Sequence, residues 1–89
     1  MILKIRGILL RFTHYESSIE VNAPTVRAAL TELTERYPEI RDVLFDRDGA
    51  VRPTHLVALN GEALTADELD SASADDDDRV DIVTAVSGG

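Results

Sequence analysis

One amphipathic helix, bounded at both ends by its own sequence signals, constrains the fold of this chain more than any other segment. Val26, Ala29, Leu30, Leu33 and Tyr37 recur at i, i+3, i+4, i+7 and i+11, an apolar stripe of helical period. Arg27, Glu32, Glu35 and Arg36 fall largely on the other side. Thr25 is suited to cap the start, its hydroxyl satisfying a free backbone N–H in the first turn. Pro38 ends the helix, because the residue before a proline is pushed out of helical geometry. A helix with a single apolar stripe needs a surface to cover, and the flanking segments read mostly as strands.

Residues 2–12 are rich in Ile, Leu and Phe and read as the first strand. Leu3 and Ile5 share one face with Lys4 and Arg6 opposite, whereas beyond Gly7 the apolar positions become Ile8, Leu10 and Phe12. A one-residue change of face at a glycine predicts either a bulge or the end of the strand. Thr13 to Ser17 form a turn, and Ser18 to Val21 a second strand with Ile19 and Val21 inward. After the helix, Ile40, Val43 and Leu44 are spaced as a short second helical turn, Asp46-Arg47-Asp48-Gly49 is a turn, and His55 to Leu59 an apolar strand. Asn60-Gly61 is a two-residue hairpin signal, since both residues accept positive φ. The stretch from Thr65 to Ala74 is polar around an isolated Leu69 and reads as a loop holding one apolar plug. An acidic turn, Asp75 to Asp78, precedes the last strand, where Val80, Ile82, Thr84 and Val86 alternate with Asp81, Val83 and Ala85.

With the last strand placed centrally beside the first, the helix crosses one face of a four- to five-stranded mixed sheet. That is an α+β chain of the ubiquitin-like β-grasp type. Its expected core is Leu3, Ile5, Ile19, Val21, Leu30, Leu33, Leu56 or Val57, and Val80 or Ile82. A split β-α-β arrangement competes, but it prefers a second full-length helix between residues 60 and 78, a stretch too polar and aspartate-rich for one. Eighty-nine residues make one domain, 1–89, with residues 87–89 as a flexible tail.

The formal net charge of −8, from 17 acidic and 9 basic residues, disfavours nucleic acid and anionic membrane as partners and favours one with a basic or mixed surface. Lys4 is the single lysine; the other eight basic residues are arginine. No apolar stretch approaches the roughly 20 residues that span a bilayer. The absence of cysteine removes disulfides, thiolate metal sites and a cysteine nucleophile, and fits a cytoplasmic location. Four consecutive aspartates cannot all face one ion, so Asp75 to Asp78 read as a solvated turn and no bound metal or cofactor is expected. His14 and His55 have no catalytic partner motif and read as structural.

The last residues, Val86-Ser87-Gly88-Gly89, follow the final strand without a polar tail. A Gly-Gly end carries no side chains, so it can thread a narrow channel and present its carboxylate to another protein's active site. Exposed apolar residues on the sheet face away from the helix, with Leu9 or Leu10, Phe12, Leu56 and Val83 as candidates, would form the docking surface, joined by Val86 and Ser87 of the tail.

Over nearly its whole length the chain resembles the MoaD/ThiS family of ubiquitin-like sulfur carriers. The matching pieces are the opening strand leading to Leu10-Arg11, the Thr25-Val26 helix start with its Ala29-Leu30 and Leu33 stripe, Tyr37-Pro38, the Val57-Ala58-Leu59-Asn60-Gly61-Glu62 hairpin, the aspartate-rich turn and the terminal Val86-Ser87-Gly88-Gly89. The family often has Asp-Gly-Asp at that turn and prolines where this chain has Thr84 and Ala85. The resemblance implies that an E1-like adenylating enzyme joins the Gly89 carboxylate to AMP from ATP, with Gly88 as a slender spacer. A sulfur source then displaces AMP, and the resulting thiocarboxylate serves a sulfur-accepting synthase subunit or other biosynthetic enzyme. The chain would be a carrier rather than an enzyme. A protein modifier joined through Gly89 to lysines is the alternative the same resemblance implies.

Overall fold

The computed structural model describes residues 1–84. Five strands, β1 (Ile2–Ile5), β2 (Ser18–Glu20), β3 (His55–Leu59), β4 (Glu62–Ala63) and β5 (Arg79–Thr84), form one mixed sheet in the order β2-β1-β5-β3-β4. β1 pairs in parallel with β5, while the β1–β2, β3–β5 and β3–β4 pairs are antiparallel. Helix α1 (Val26–Arg36) lies across one face. Thr25 caps it as expected, its Oγ1 accepting from the Ala28 N–H at 3.0 Å. The stripe residues Val26, Ala29, Leu30 and Leu33 are fully buried. They pack with Leu3, Ile5, Ile19, Val57, Val80 and Ile82 from the sheet. Pro38 opens a 3-10 turn, Pro38–Ile40, that runs into a one-turn helix α2 (Arg41–Leu44), which seats Ile40 and Leu44 in the same core.

Two expectations needed correction, and two alternatives in the expected core were decided. The first strand ends at Ile5, and Gly7–Phe12 coil into a 3-10 helix. Gly7 has φ +69°, and this left-handed residue breaks the extended run where the apolar parity changed. Residues 65–74 are not a loop throughout: Ala66–Ser71 form helix α3. A reciprocal capping box starts it, with the Glu68 N–H donating to Thr65 Oγ1 at 3.2 Å and the Thr65 N–H donating to Glu68 Oε1 at 3.0 Å. Leu69 of α3 is the buried plug that the sequence implies. At the Leu56/Val57 position the core takes Val57, and at Val80/Ile82 it takes both.

The Asn60-Gly61 turn has φ of +49° and +90°, the pair of positive angles that a tight β3–β4 hairpin needs. Asn60 also ties the hairpin to the acidic turn: its Nδ2 donates to Asp78 Oδ1 at 2.9 Å and its Oδ1 accepts from the Arg79 N–H at 2.9 Å. Asp78 Oδ2 in turn accepts from the Asp75 N–H at 2.7 Å, so this turn is organised by hydrogen bonds within the chain.

These bonds, the one from Asn60 foremost and then that from Asp75, hold the Asp78 carboxyl below its ordinary value of 3.8. A carboxylate whose folded-state value is depressed stabilises the fold above its unfolded value, and the stabilisation is lost as pH falls through the folded one. Acidification from about pH 6 to about pH 3 should therefore lower the melting temperature, and Asp78→Asn should show a smaller drop over that range. In the core, Leu33→Ala should cost about 3 kcal/mol in urea denaturation, since it empties a fully buried site.

Candidate functional site

The last strand described is also the central one of the sheet. β5 runs between β1 and β3, and its carboxyl end, Thr84, pairs with His55 at the start of β3. His55 Nε2 lies 2.8 Å from the Val43 carbonyl, which can only accept, so Nε2 carries the proton. Nδ1 is then free to accept from the Thr84 hydroxyl at 3.3 Å. His55 thus links the end of β5 to α2, a structural role. His14 is exposed, has φ +53° and stacks at a tilt on Tyr37 with ring centroids 5.7 Å apart, 41 residues of sequence away from His55. Gly88 and Gly89, and the proposed contact residues Val86 and Ser87, lie outside the described residues.

The sheet face away from α1 can be read from the registers, because residues paired across strands share a face. Leu56 pairs with Val83; Ser18, Lys4, Asp81, Ala58 and Ala63 form one row across the sheet; Glu20, Ile2 and Arg79 form another. Leu56 is 46% exposed and Ile2 41% exposed, whereas a residue at the core-facing positions of β5 has no exposure at all. Leu56 and Val83 are therefore adjacent on the open face, near the end of β5. Phe12 is not with them. It belongs to the 3-10 helix, where it is half-buried against the core, so the parity that placed it on a strand does not apply. Of the Leu9-or-Leu10 alternative, Leu9 is fully buried and Leu10 partly buried against the core in the same 3-10 helix.

Sequence reasoning missed Asp81 as part of this face. It is 9% exposed, the most buried charged residue described. Its Oδ2 accepts from Arg79 Nε at 3.2 Å, and its Oδ1 lies 3.7 Å from an Arg6 nitrogen without a hydrogen-bond partner. The available signal was an aspartate alternating with Val80 and Ile82 in a central strand, with arginines two residues before it and just past the end of the neighbouring strand. Among the described residues no group of three His, Asp or Glu side chains is placed to hold a metal ion, and no helix is long and apolar enough to cross a membrane.

Comparison with known proteins agrees with this geometry. A family model described as the ThiS family matches residues 4–89. The crystal structure of small archaeal modifier protein 1 from Haloferax volcanii superposes with a TM-score of 0.86 at 25% identity, covering 100% of this chain and 98% of that one. The Amycolatopsis orientalis BexX/CysO complex contains a chain similar at a TM-score of 0.80 and 25% identity, over 99% of this chain and 98% of that one. CysO of Mycobacterium tuberculosis shares the fold at a TM-score of 0.83 and 24% identity, over 96% and 98%. A search of curated protein sequences found no match. The fold is the ubiquitin-like β-grasp.

The two sides of β3 should respond differently to truncation. Val57→Ala should cost about 2 kcal/mol of stability, while Leu56→Ala should cost less than about 1 kcal/mol, both read by chemical denaturation.

Proposed function

The chain belongs to the ThiS family, and from that premise we propose that it is a sulfur carrier acting through the Gly89 carboxylate. One observation carries the reading: the family match runs through to Gly89, while the structure sets the strand leading there at the centre of the sheet, beside an exposed Leu56 and its half-buried partner Val83. A central strand, hydrogen-bonded on both sides, is a firm base from which a side-chain-free tail can be offered to an enclosing active site.

In the proposed cycle an E1-like adenylating enzyme brings ATP to the tail. The carboxylate oxygen attacks the α-phosphate, pyrophosphate leaves, and the acyl adenylate forms. A sulfide or persulfide sulfur then attacks the acyl carbon and AMP leaves with the bonding electron pair; with a persulfide donor, reduction of the remaining sulfur–sulfur bond by thiol completes the thiocarboxylate. The product sulfur is the nucleophile that a sulfur-accepting enzyme uses next, in the synthesis of a cofactor such as molybdopterin or thiamin, of cysteine, or of a specialised metabolite. Leu56 and Val83, with Val86 and Ser87, are the proposed contacts to these partners. The chain holds no cofactor of its own, and the catalytic groups and ATP site belong to the partners. Proteins of this family are generally carriers rather than enzymes, which supports that division. Use of ATP and reduced sulfur places the cycle in the cytoplasm.

The similarity to a protein named as a modifier supports a second reading, in which the activated Gly89 is transferred to lysine amines of target proteins. Both readings share activation, so the acceptor separates them. Incubation with an activating enzyme from the same organism, ATP and a sulfur donor should raise the intact mass by the difference between sulfur and oxygen. Deleting Gly88 and Gly89 should abolish the shift. No shift with the intact chain, together with tryptic peptides carrying residues 80–89 of this chain on lysine in proteins isolated from the organism, would replace the carrier reading by the modifier one.

A further inference from the structure

The open sheet face carries a charge opposite to that of the whole chain. Lys4, Arg6 and Arg79, three of the nine basic residues, gather on it around Asp81, whereas the formal net charge is −8. The arrangement costs stability in the isolated protein, because Asp81 Oδ1 is buried without a hydrogen bond. What that carboxylate does is hold cations in place. Arg79 spends its Nε on Asp81 Oδ2, leaving its two terminal nitrogens without a hydrogen bond among the described residues. Arg6 sits at 3.7 Å, beyond hydrogen-bond distance, and its side chain makes no hydrogen bond among the described residues. Lys4 leans away from Asp81 and gives one of its three N–H donors to Ser18 Oγ at 2.6 Å. The Arg6 and Arg79 side chains are 63% and 52% exposed on either side of the buried acid. Two planar forks with free donors, oriented by a shared carboxylate and set beside an apolar pair, match a protein surface that presents carboxylates.

We propose that Lys4, Arg6 and Arg79, organised by Asp81 and flanking Leu56 and Val83, form a cationic seat for an acidic surface of the activating enzyme. This deepens the carrier reading and rests on it. It also reverses the expectation drawn from net charge, that the partner is basic or mixed. Asp75 to Asp78 lie beyond the opposite end of β5, and Glu20 is on the same face in the row of Ile2 and Arg79, so this face sets Lys4, Arg6 and Arg79 against Asp81 and Glu20. A nucleic acid fits this face less well, since three cations around a buried carboxylate and an apolar pair do not make a phosphate track and the rest of the surface repels a polyanion. Asp81 is a positioning residue in this scheme: it acts through Arg6 and Arg79.

The test is the affinity of the full chain for the activating enzyme from the same organism, by calorimetry and by ATP–pyrophosphate exchange, across a salt series. Arg6→Glu and Arg79→Glu should each weaken binding about tenfold or more at about 0.05 M salt, with the gap closing toward about 0.5 M. Arg6→Gln, a milder change, should weaken it about threefold in the same sense. Arg47→Glu, in the Asp46–Gly49 turn away from this face, should bind as the parent does. Melting temperatures confirm that each variant is folded. Unchanged or tighter binding by the reversed variants, or a parent affinity indifferent to salt, overturns the seat. If Leu56→Asp and the Gly88-Gly89 deletion still abolish exchange in that case, the carrier reading survives without it. If the parent forms no complex with the activating enzyme, both fall. Self-association in sedimentation, or retention of an oligonucleotide, that Arg6→Glu abolishes would give the face to a second copy or to nucleic acid and overturn the proposal.

Discussion

The parallel pairing of β1 with β5 is the contact on which the rest of the structure depends. Parallel strands cannot be joined by a tight turn, so the chain between them has to cross a face of the sheet and return. The covering that results is α1, with α2 and α3 filling the margins. The pairing also drives β5 into the middle of the sheet, where Val80 and Ile82 lose all exposure and β3 can close on the other side. At the other end of β1, the Met1 ammonium donates to the Asp76 carbonyl at 2.8 Å and the Ile2 N–H to the Asp78 carbonyl at 3.0 Å, so the acidic turn is tied to the start of the chain. Ends remote in sequence become neighbours, and the path toward Gly89 begins from the most enclosed strand of the domain.

That central position explains why a charged residue can sit on β5 at all. On an edge strand Asp81 would be hydrated and unremarkable. Between β1 and β3 it is flanked by Lys4 on one side and Ala58 on the other, and its solvent side is roofed by arginine side chains. A buried carboxylate with one oxygen unpaired is a local violation of the rule that buried polar groups find partners, and such violations concentrate where a surface is built for something besides stability. The apolar pair Leu56–Val83 next to it gives contact area without strong orientation; the arginines add direction. Net charge describes solubility and long-range drift, but docking is decided within a Debye length of about 8 Å at physiological salt, where only the local set of charges counts.

Much of the fold was legible because its signals are local. The Thr25 cap, the stripe from Val26 to Tyr37, the stop at Pro38 and the Asn60-Gly61 hairpin are each written in adjacent residues, and each is found where it was expected. Two misreadings were also local and could have been avoided. Thr65-Ala66-Asp67-Glu68 spells a capping box that announces α3, although the polarity of the segment masks it. The parity break at Gly7 marked the end of β1, and carrying the strand past it put Phe12 on the wrong side of the molecule.

Sequence alone determined the class of the domain, its one main helix, the inward residues of β1, β2 and β5, and the family resemblance that points to the Gly-Gly end. It could do so because cap, stop, turn and alternation are short-range properties of the backbone and its side chains. Only the tertiary structure decided which of Leu56 and Val57 faces solvent, that Val83 stands beside Leu56, and that Lys4, Arg6, Arg79 and Asp81 share one surface. Those facts depend on the register between residues 21 to 77 apart in sequence. Register is set by how the whole core closes, which no local pattern encodes.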